Sequence, residues 1–186
     1  MKRIFKKIYS ALLSPFDRHR HDAKTARQVP NDDFFPDVVA ILDEGKQVTI
    51  PVKGFSMLPF IRGIRDLVVL EKRETYVPYD IVLFHCGGRY VLHRILTVGP
   101  APAGHPERAE VIIQGDGVVK NTEKVTTADL YGKVITILRD GKTAVDPDSP
   151  KQLRRARRWR RIRCIRRPLL LAYRFAPWNY VWLRHQ

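Results

Sequence analysis

Only two cysteines occur in the 186 residues, Cys86 in the centre and Cys164 near the C-terminus. Two so placed make no disulfide framework, and no Cys/His spacing of a metal centre is present, so a reducing compartment is expected and no cofactor. Long apolar runs are missing too: nothing approaches the ~20 residues a membrane-crossing helix needs. Lys2 and Arg3 open the chain in the manner of a signal peptide. Lys6 and Lys7 then interrupt the apolar stretch, which runs only from Ile8 to Leu13, and no small-x-small site follows. The expectation is therefore a cytoplasmic protein without a membrane-crossing segment, peripheral at the inner membrane surface. Acidic residues are absent from residues 151–186, which hold twelve Lys/Arg.

What is present is a strong and unevenly placed positive charge. The formal net charge is +15; residues 1–30 contribute +6 and residues 151–186 contribute +12, which leaves −3 for the centre. The two ends, not the centre, are the candidates for an anionic partner. With 44% hydrophobic residues, the chain can build one domain of ordinary composition with appendages.

Three segments are expected: residues 1–33, 34–147 and 148–186. In the first, Ile4, Phe5, Ile8, Tyr9, Leu12, Leu13 and Phe16 form a helical stripe opposite Lys6, Lys7, Ser10 and Ser14, ended by Pro15. Such a basic amphipathic helix suits an anionic membrane surface or the protein's own core, and periodicity does not separate the two. A polar linker follows. Asp32 or Asp33 is expected to cap a helix from Phe35 to Glu44, with Pro36 in its first turn and Gly45 stopping it.

From Lys46 the period becomes that of strands. Val48–Val52, Leu67–Leu70, Ile81–His85, Tyr90–Val98, Glu110–Gln114, Tyr131–Leu138 and Lys142–Val145 read as strands between turn residues, with Asp140-Gly141 a hairpin signal. Gly99 to Glu107 reads as a loop. The fold class expected is mostly β, largely antiparallel, with one preceding helix and basic amphipathic tails. The last segment carries ten cations between Lys151 and Arg167, with Leu153, Ala156, Trp159, Ile162 and Ile165 recurring at threes, so a helix is expected. Beyond Pro168 come Leu169, Leu170, Leu171, Tyr173, Phe175, Trp178, Tyr180 and Trp182. Cations beside Trp and Tyr are the composition of a membrane interface. The basic tail would also attract phosphates in nucleic acid, but no recognition motif accompanies it and the aromatic segment suits lipid better.

Chemistry is expected first at Val52-Lys53-Gly54-Phe55-Ser56-Met57-Leu58-Pro59. A β run ends at a glycine, the chain turns, and a serine is exposed before a stiffening proline. Most such serines are ordinary turn residues, and a serine alone is a poor nucleophile without a base. The candidate base is His93, on a strand whose alternation puts Val91, His93 and Ile95 on one face. The third element is Asp116 on the Gly115-Asp116-Gly117 turn. Serine, histidine and aspartate at three strand edges would supply nucleophile, base and orienter. Arg62, Arg65 and Arg94 are expected on the solvated surface or in ion pairs with Asp66 or Asp80.

An ordered set of motifs carries a family resemblance. Gly54-x-Ser56-Met57-x-Pro59 is followed by Asp66-x-Val68, Asp80-Ile81-Val82-x-Phe84, Val91-x-His93-Arg94-Ile95, Gly115-Asp116-Gly117 and Gly132-Lys133-Val134. Residues 46–140 thereby resemble the serine peptidase superfamily that contains type I signal peptidases and the self-cleaving repressors of the bacterial damage response. The resemblance implies a mostly β catalytic domain with Ser56 as acyl nucleophile, its backbone N–H as an oxyanion donor, and a peptide or protein substrate with small residues beside the cut. Most bacterial members place a Lys-Arg pair where this chain has His93-Arg94. The match is to the archaeal and endoplasmic-reticulum branch, in which a histidine is the base and an aspartate like Asp116 assists. Gly54, Phe55, Met57 and Arg94 are the expected substrate or oxyanion contacts.

The departures are specific. Gly54 stands where some signal peptidases have an oxyanion serine, and the membrane helix before the nucleophile is missing. The branch's second aspartate, six residues past the first, is Thr122 here, with Glu123 the nearest carboxylate. Residues 1–45 are too short and too poorly patterned for a helix-turn-helix domain, so a repressor is not expected. The rival expectation is an inactive peptide- or partner-binding module at the membrane surface, held there like the peptidase by both basic tails.

Overall fold

Short apolar and β-branched runs between turn residues dictate strands, and a computed structural model of the chain joins them into one sheet. It describes residues 31–162 and 165–174. The amphipathic helix expected over residues 4–16 and the aromatic segment at 175–186 lie outside the described residues. Among the described residues, no helix is long and apolar enough to cross a membrane.

Helix α1 spans Asn31–Asp43, starting before the expected Phe35. It ends as expected: Gly45 takes a φ of 73° and its N–H donates to the Leu42 carbonyl at 2.9 Å, closing the last turn. Eight strands follow: β1 Val48–Pro51, β2 Leu67–Glu71, β3 Ile81–Cys86, β4 Arg89–Val98, β5 Glu110–Gln114, β6 Glu123–Thr126, β7 Leu130–Arg139 and β8 Thr143–Val145. All pair antiparallel in one sheet, in the order β1-β2-β7-β3-β4-β5-β6, with β8 also on β7. The ten-residue β7 is the hub: β2 lies along one edge, while β3 takes the first half of the other edge and β8 the second. At the β7–β8 turn, Asp140 and Gly141 both have positive φ, 49° and 69°, as a tight hairpin requires. Strand β6 was not among the expected strands; its Glu-Lys-Val-Thr sequence has no apolar alternation and is ordered by pairing with β5.

β3 is buried on both faces. Ile81 and Leu83 join Val38 and Leu42 of α1, with Val48, Ile50, Val68, Leu70 and Val134, in the larger core. Val82 and Phe84 face the other way and pack with Ile95, Val111, Ile113 and Leu130. Two further α-helices follow among the described residues, α2 Pro150–Arg161 and α3 Arg166–Arg174. The linker before α2 is anchored where Lys133 bridges Asp80 and Asp148, both at 2.7 Å. Ala156 and Trp159 turn inward against the sheet domain, while Arg154, Arg155, Arg157, Arg158 and Arg161 stay exposed.

Candidate active site

The loop carrying Ser56 leaves β1 and is cinched at its base, where the Ile64 N–H donates to the Val52 carbonyl at 2.6 Å and the Val52 N–H to the Asp66 carbonyl at 3.3 Å. Gly54 has a φ of 80°. A side chain on Gly63 would run into the Gly54 backbone, so the two arms of the loop touch through glycines. The Leu58–Pro59 peptide is cis. Met57 and Ile61 sink into the larger core, and this anchors the turn that leaves Ser56 half-buried.

The Gly115-Asp116-Gly117 turn docks on this loop by close backbone approach. The Gly117 N–H donates to the Ser56 carbonyl at 2.7 Å. A Cβ on Gly115 would lie 2.5 Å from the Ser56 carbonyl oxygen and 2.8 Å from His93 Nε2. Those two atoms are thus no farther apart than the two distances together. A Cβ on Gly117 would collide with the Phe55 carbonyl. Two glycines are therefore needed at these positions to let the serine loop, the histidine and the turn meet.

His93 is 5% exposed. Its ring lies 5.9 Å from that of Phe84, centroid to centroid, and Nδ1 is 3.2 Å from Glu123 Oε2. With Nδ1–H donating to that carboxylate, Nε2 is the acceptor, packed against Gly115. Burial pushes the imidazole below its ordinary value of 6.5, against the opposing pull of the Glu123 and Asp116 carboxylates, and Arg89 adds to the lowering. The ring is therefore neutral at pH 7. Among the described residues no hydrogen bond joins the Ser56 hydroxyl to His93, and the Ser56 backbone N–H donates to no carbonyl.

Asp116 does not orient His93, as was expected of it. Its carboxylate accepts three bonds from Arg94, from Nε at 3.0 Å to each oxygen and from Nη2 at 2.8 Å, in a pair almost wholly buried. Strand parity gives the reason. Ile95, Ile113 and Glu123 stand opposite one another on β4, β5 and β6 and so share a face with His93. Arg94 stands opposite Gln114, and Asp116, on the turn just past the end of β5, meets its guanidinium there.

Arg94 is likewise corrected from a substrate contact to an interior residue. It is 2% exposed, also donates to the Tyr79 carbonyl at 2.9 Å, and lies over the Phe60 ring at 5.1 Å. Met57 is 1% exposed and belongs to the core, not to a groove. Arg62 meets Asp66 as expected, whereas Arg65 pairs with Asp140 and Asp80 with Lys133. Phe55 remains exposed beside Ser56.

The C-terminal helices complete this region. Trp159 Nε1 donates to the Asp116 carbonyl at 2.8 Å, and the buried Arg166 donates through Nη2 to the same oxygen at 2.6 Å and to the Val118 carbonyl at 3.1 Å. Arg167, Pro168, Leu170 and Leu171 of α3 line a cavity of about 570 Å³ together with Phe55 and Leu58. Sequence reasoning assigned this segment to lipid. The only signal of its inward role was the spacing of Ala156 and Trp159 at threes. Among the described residues, no three His, Cys, Asp or Glu side chains gather as metal ligands. No family model and no curated protein matches the chain in sequence.

Proposed function

We propose that the protein is a serine endopeptidase of the signal-peptidase-like kind, working through an acyl-enzyme with Ser56 as nucleophile, His93 as base and Glu123 holding the imidazole. The observation that carries this reading is the packing of Gly115 against both the Ser56 carbonyl and His93 Nε2, with Glu123 on the far ring nitrogen. A neutral, buried imidazole with its tautomer held by a carboxylate is what proton transfer from a serine requires. Ser56 Oγ adds to the peptide carbonyl carbon while its proton passes to Nε2. The Ser56 N–H donates to the developing oxyanion. The imidazolium then returns the proton to the leaving amine, and water hydrolyses the ester by the reverse roles. The mostly apolar cavity beside Phe55 and Leu58, with Arg167 in its lining, accepts substrate side chains; small residues next to the cut follow from the family resemblance alone. The exposed arginines of α2 hold this domain against an anionic membrane surface.

The missing Ser56–His93 hydrogen bond favours one alternative, a catalytically inactive module that binds a peptide or partner in the same cavity. In a peptidase that bond tightens when substrate binds. A labelling comparison separates the two. Wild type, Ser56→Ala and His93→Ala are incubated with a broad serine-reactive acylating probe and weighed intact. A stoichiometric adduct lost in both variants supports the peptidase. No adduct on folded wild type between pH 6 and pH 9 favours the binding module.

A further inference from the structure

A second cavity, of about 270 Å³, lies between the sheet domain and α2, lined by Pro59, Arg62, Arg139 and Arg155. Arginines from three separate chain segments therefore line one space. The surroundings only partly neutralise them. Arg62 is bound to Asp66 and Asp140, Arg65 to Asp140, and Arg139 to Asp66 and the Phe60 carbonyl. Arg155 has no carboxylate among the described residues; it reaches Gln152 Oε1 at 3.5 Å and lies 5.9 Å from the Phe60 ring. Three guanidinium groups thus share two carboxylates and Arg155 has none, which leaves an excess of two positive charges around the cavity. Donors are also left over. Arg62 Nη1, Arg139 Nε, and Arg155 Nε and Nη2 bond no other described residue.

We infer that this cavity is a binding site for a phosphate-type oxyanion. Unused N–H donors on arginines from three chain segments suit a tetrahedral group with several acceptor oxygens. A planar carboxylate would be satisfied by the fork of a single arginine. The Asp66 and Asp140 bridges hold Arg62 and Arg139 in place before the ligand arrives, which lowers the ordering cost of binding. Because Arg155 sits in the exposed arginine row of α2, the phosphate of an acidic lipid headgroup and a soluble phosphate are the two sources of this chemistry. The inference extends the membrane-attachment part of the proposal and is independent of the chemistry at Ser56.

The test compares full-length wild type, Arg155→Gln and the same-helix control Arg161→Gln. Two readouts are used: calorimetric titration with inorganic phosphate, and co-sedimentation with phosphatidylcholine vesicles with and without phosphatidic acid. Arg155→Gln should weaken binding about fivefold or more, the loss of one charge-assisted contact discounted for exposure. Arg161→Gln should stay within about twofold, since it removes the same charge away from the cavity. A selective loss toward acidic vesicles alone assigns the site to a lipid headgroup, and toward inorganic phosphate alone to a soluble ligand. Equal losses in the two variants, or no binding of either ligand by wild type, overturn the inference. Should Arg155→Gln fold poorly, Arg155→Lys keeps the charge but not the fork and should still bind selectively worse than the control. Ser56→Ala should bind as wild type, so a failure of the peptidase reading would not be mistaken for a failure of this one.

Discussion

Asp116 and Glu123 are the two carboxylates that compete for the orienting role, and exchanging each for its amide separates structure from chemistry. The side chains of Asp116 and Arg94 are 2% and 3% exposed. Asp116→Asn keeps the shape but leaves the Arg94 guanidinium buried without its counter-charge. Breaking such a pair from one side costs about 3–5 kcal/mol. For a chain of this size that lowers Tm by on the order of 10 °C. The Glu123 side chain is 28% exposed, so Glu123→Gln should cost only about 0–1 kcal/mol. On the proposed chemistry it removes the carboxylate that fixes the His93 tautomer, and acylation should slow by about 10²-fold or more. The assays are differential scanning calorimetry and the rate of probe adduct formation on intact protein. The argument from strand parity is refuted if Asp116→Asn melts within about 2 °C of wild type while losing acylation, and Glu123→Gln acylates normally.

Three other outcomes are expected. Gly115→Ala should abolish acylation, because the new Cβ would stand 2.5 Å from the Ser56 carbonyl and 2.8 Å from His93 Nε2; intact-mass labelling at wild-type rate would show that the contact is unimportant. Since burial lowers the His93 pKa below 6.5, the acylation rate should stay flat as pH falls to that value and drop only below it. The associated stability, fully present above the unfolded value, should decline over the same acid window in denaturant titrations; an activity inflection above pH 6.5 would contradict this. Trp159→Phe removes one donor to the Asp116 carbonyl while Arg166 keeps the other, so a loss of about 1 kcal/mol is expected, read as a Tm fall of about 2–4 °C. No change in Tm would mean that α2 does not latch the turn.

Local chemistry determined much of this protein. Short apolar and β-branched runs between turn residues marked seven of the eight strands described, because a strand's burial and its turns both leave an imprint on the sequence itself. Gly45 and Asp140-Gly141 carried their own backbone requirement, and both turned the chain where they stand. Ser56, His93 and the Gly115-Asp116-Gly117 turn were legible as a set. Gly115 and Gly117 are short for a physical reason: the serine loop packs where their side chains would be. Tertiary structure decided the rest. Strand β6 has no pattern of its own and exists through β5. The partner of His93 depends on which strands lie side by side and on the parity of their register, so Glu123 reached the imidazole and Asp116 was taken by Arg94. Met57 went into the core for the same non-local reason. The direction of α2 was decided by competition for one face: its apolar residues, readable as lipid-seeking, met the Asp116 carbonyl and the sheet domain first, and its arginines were left outward.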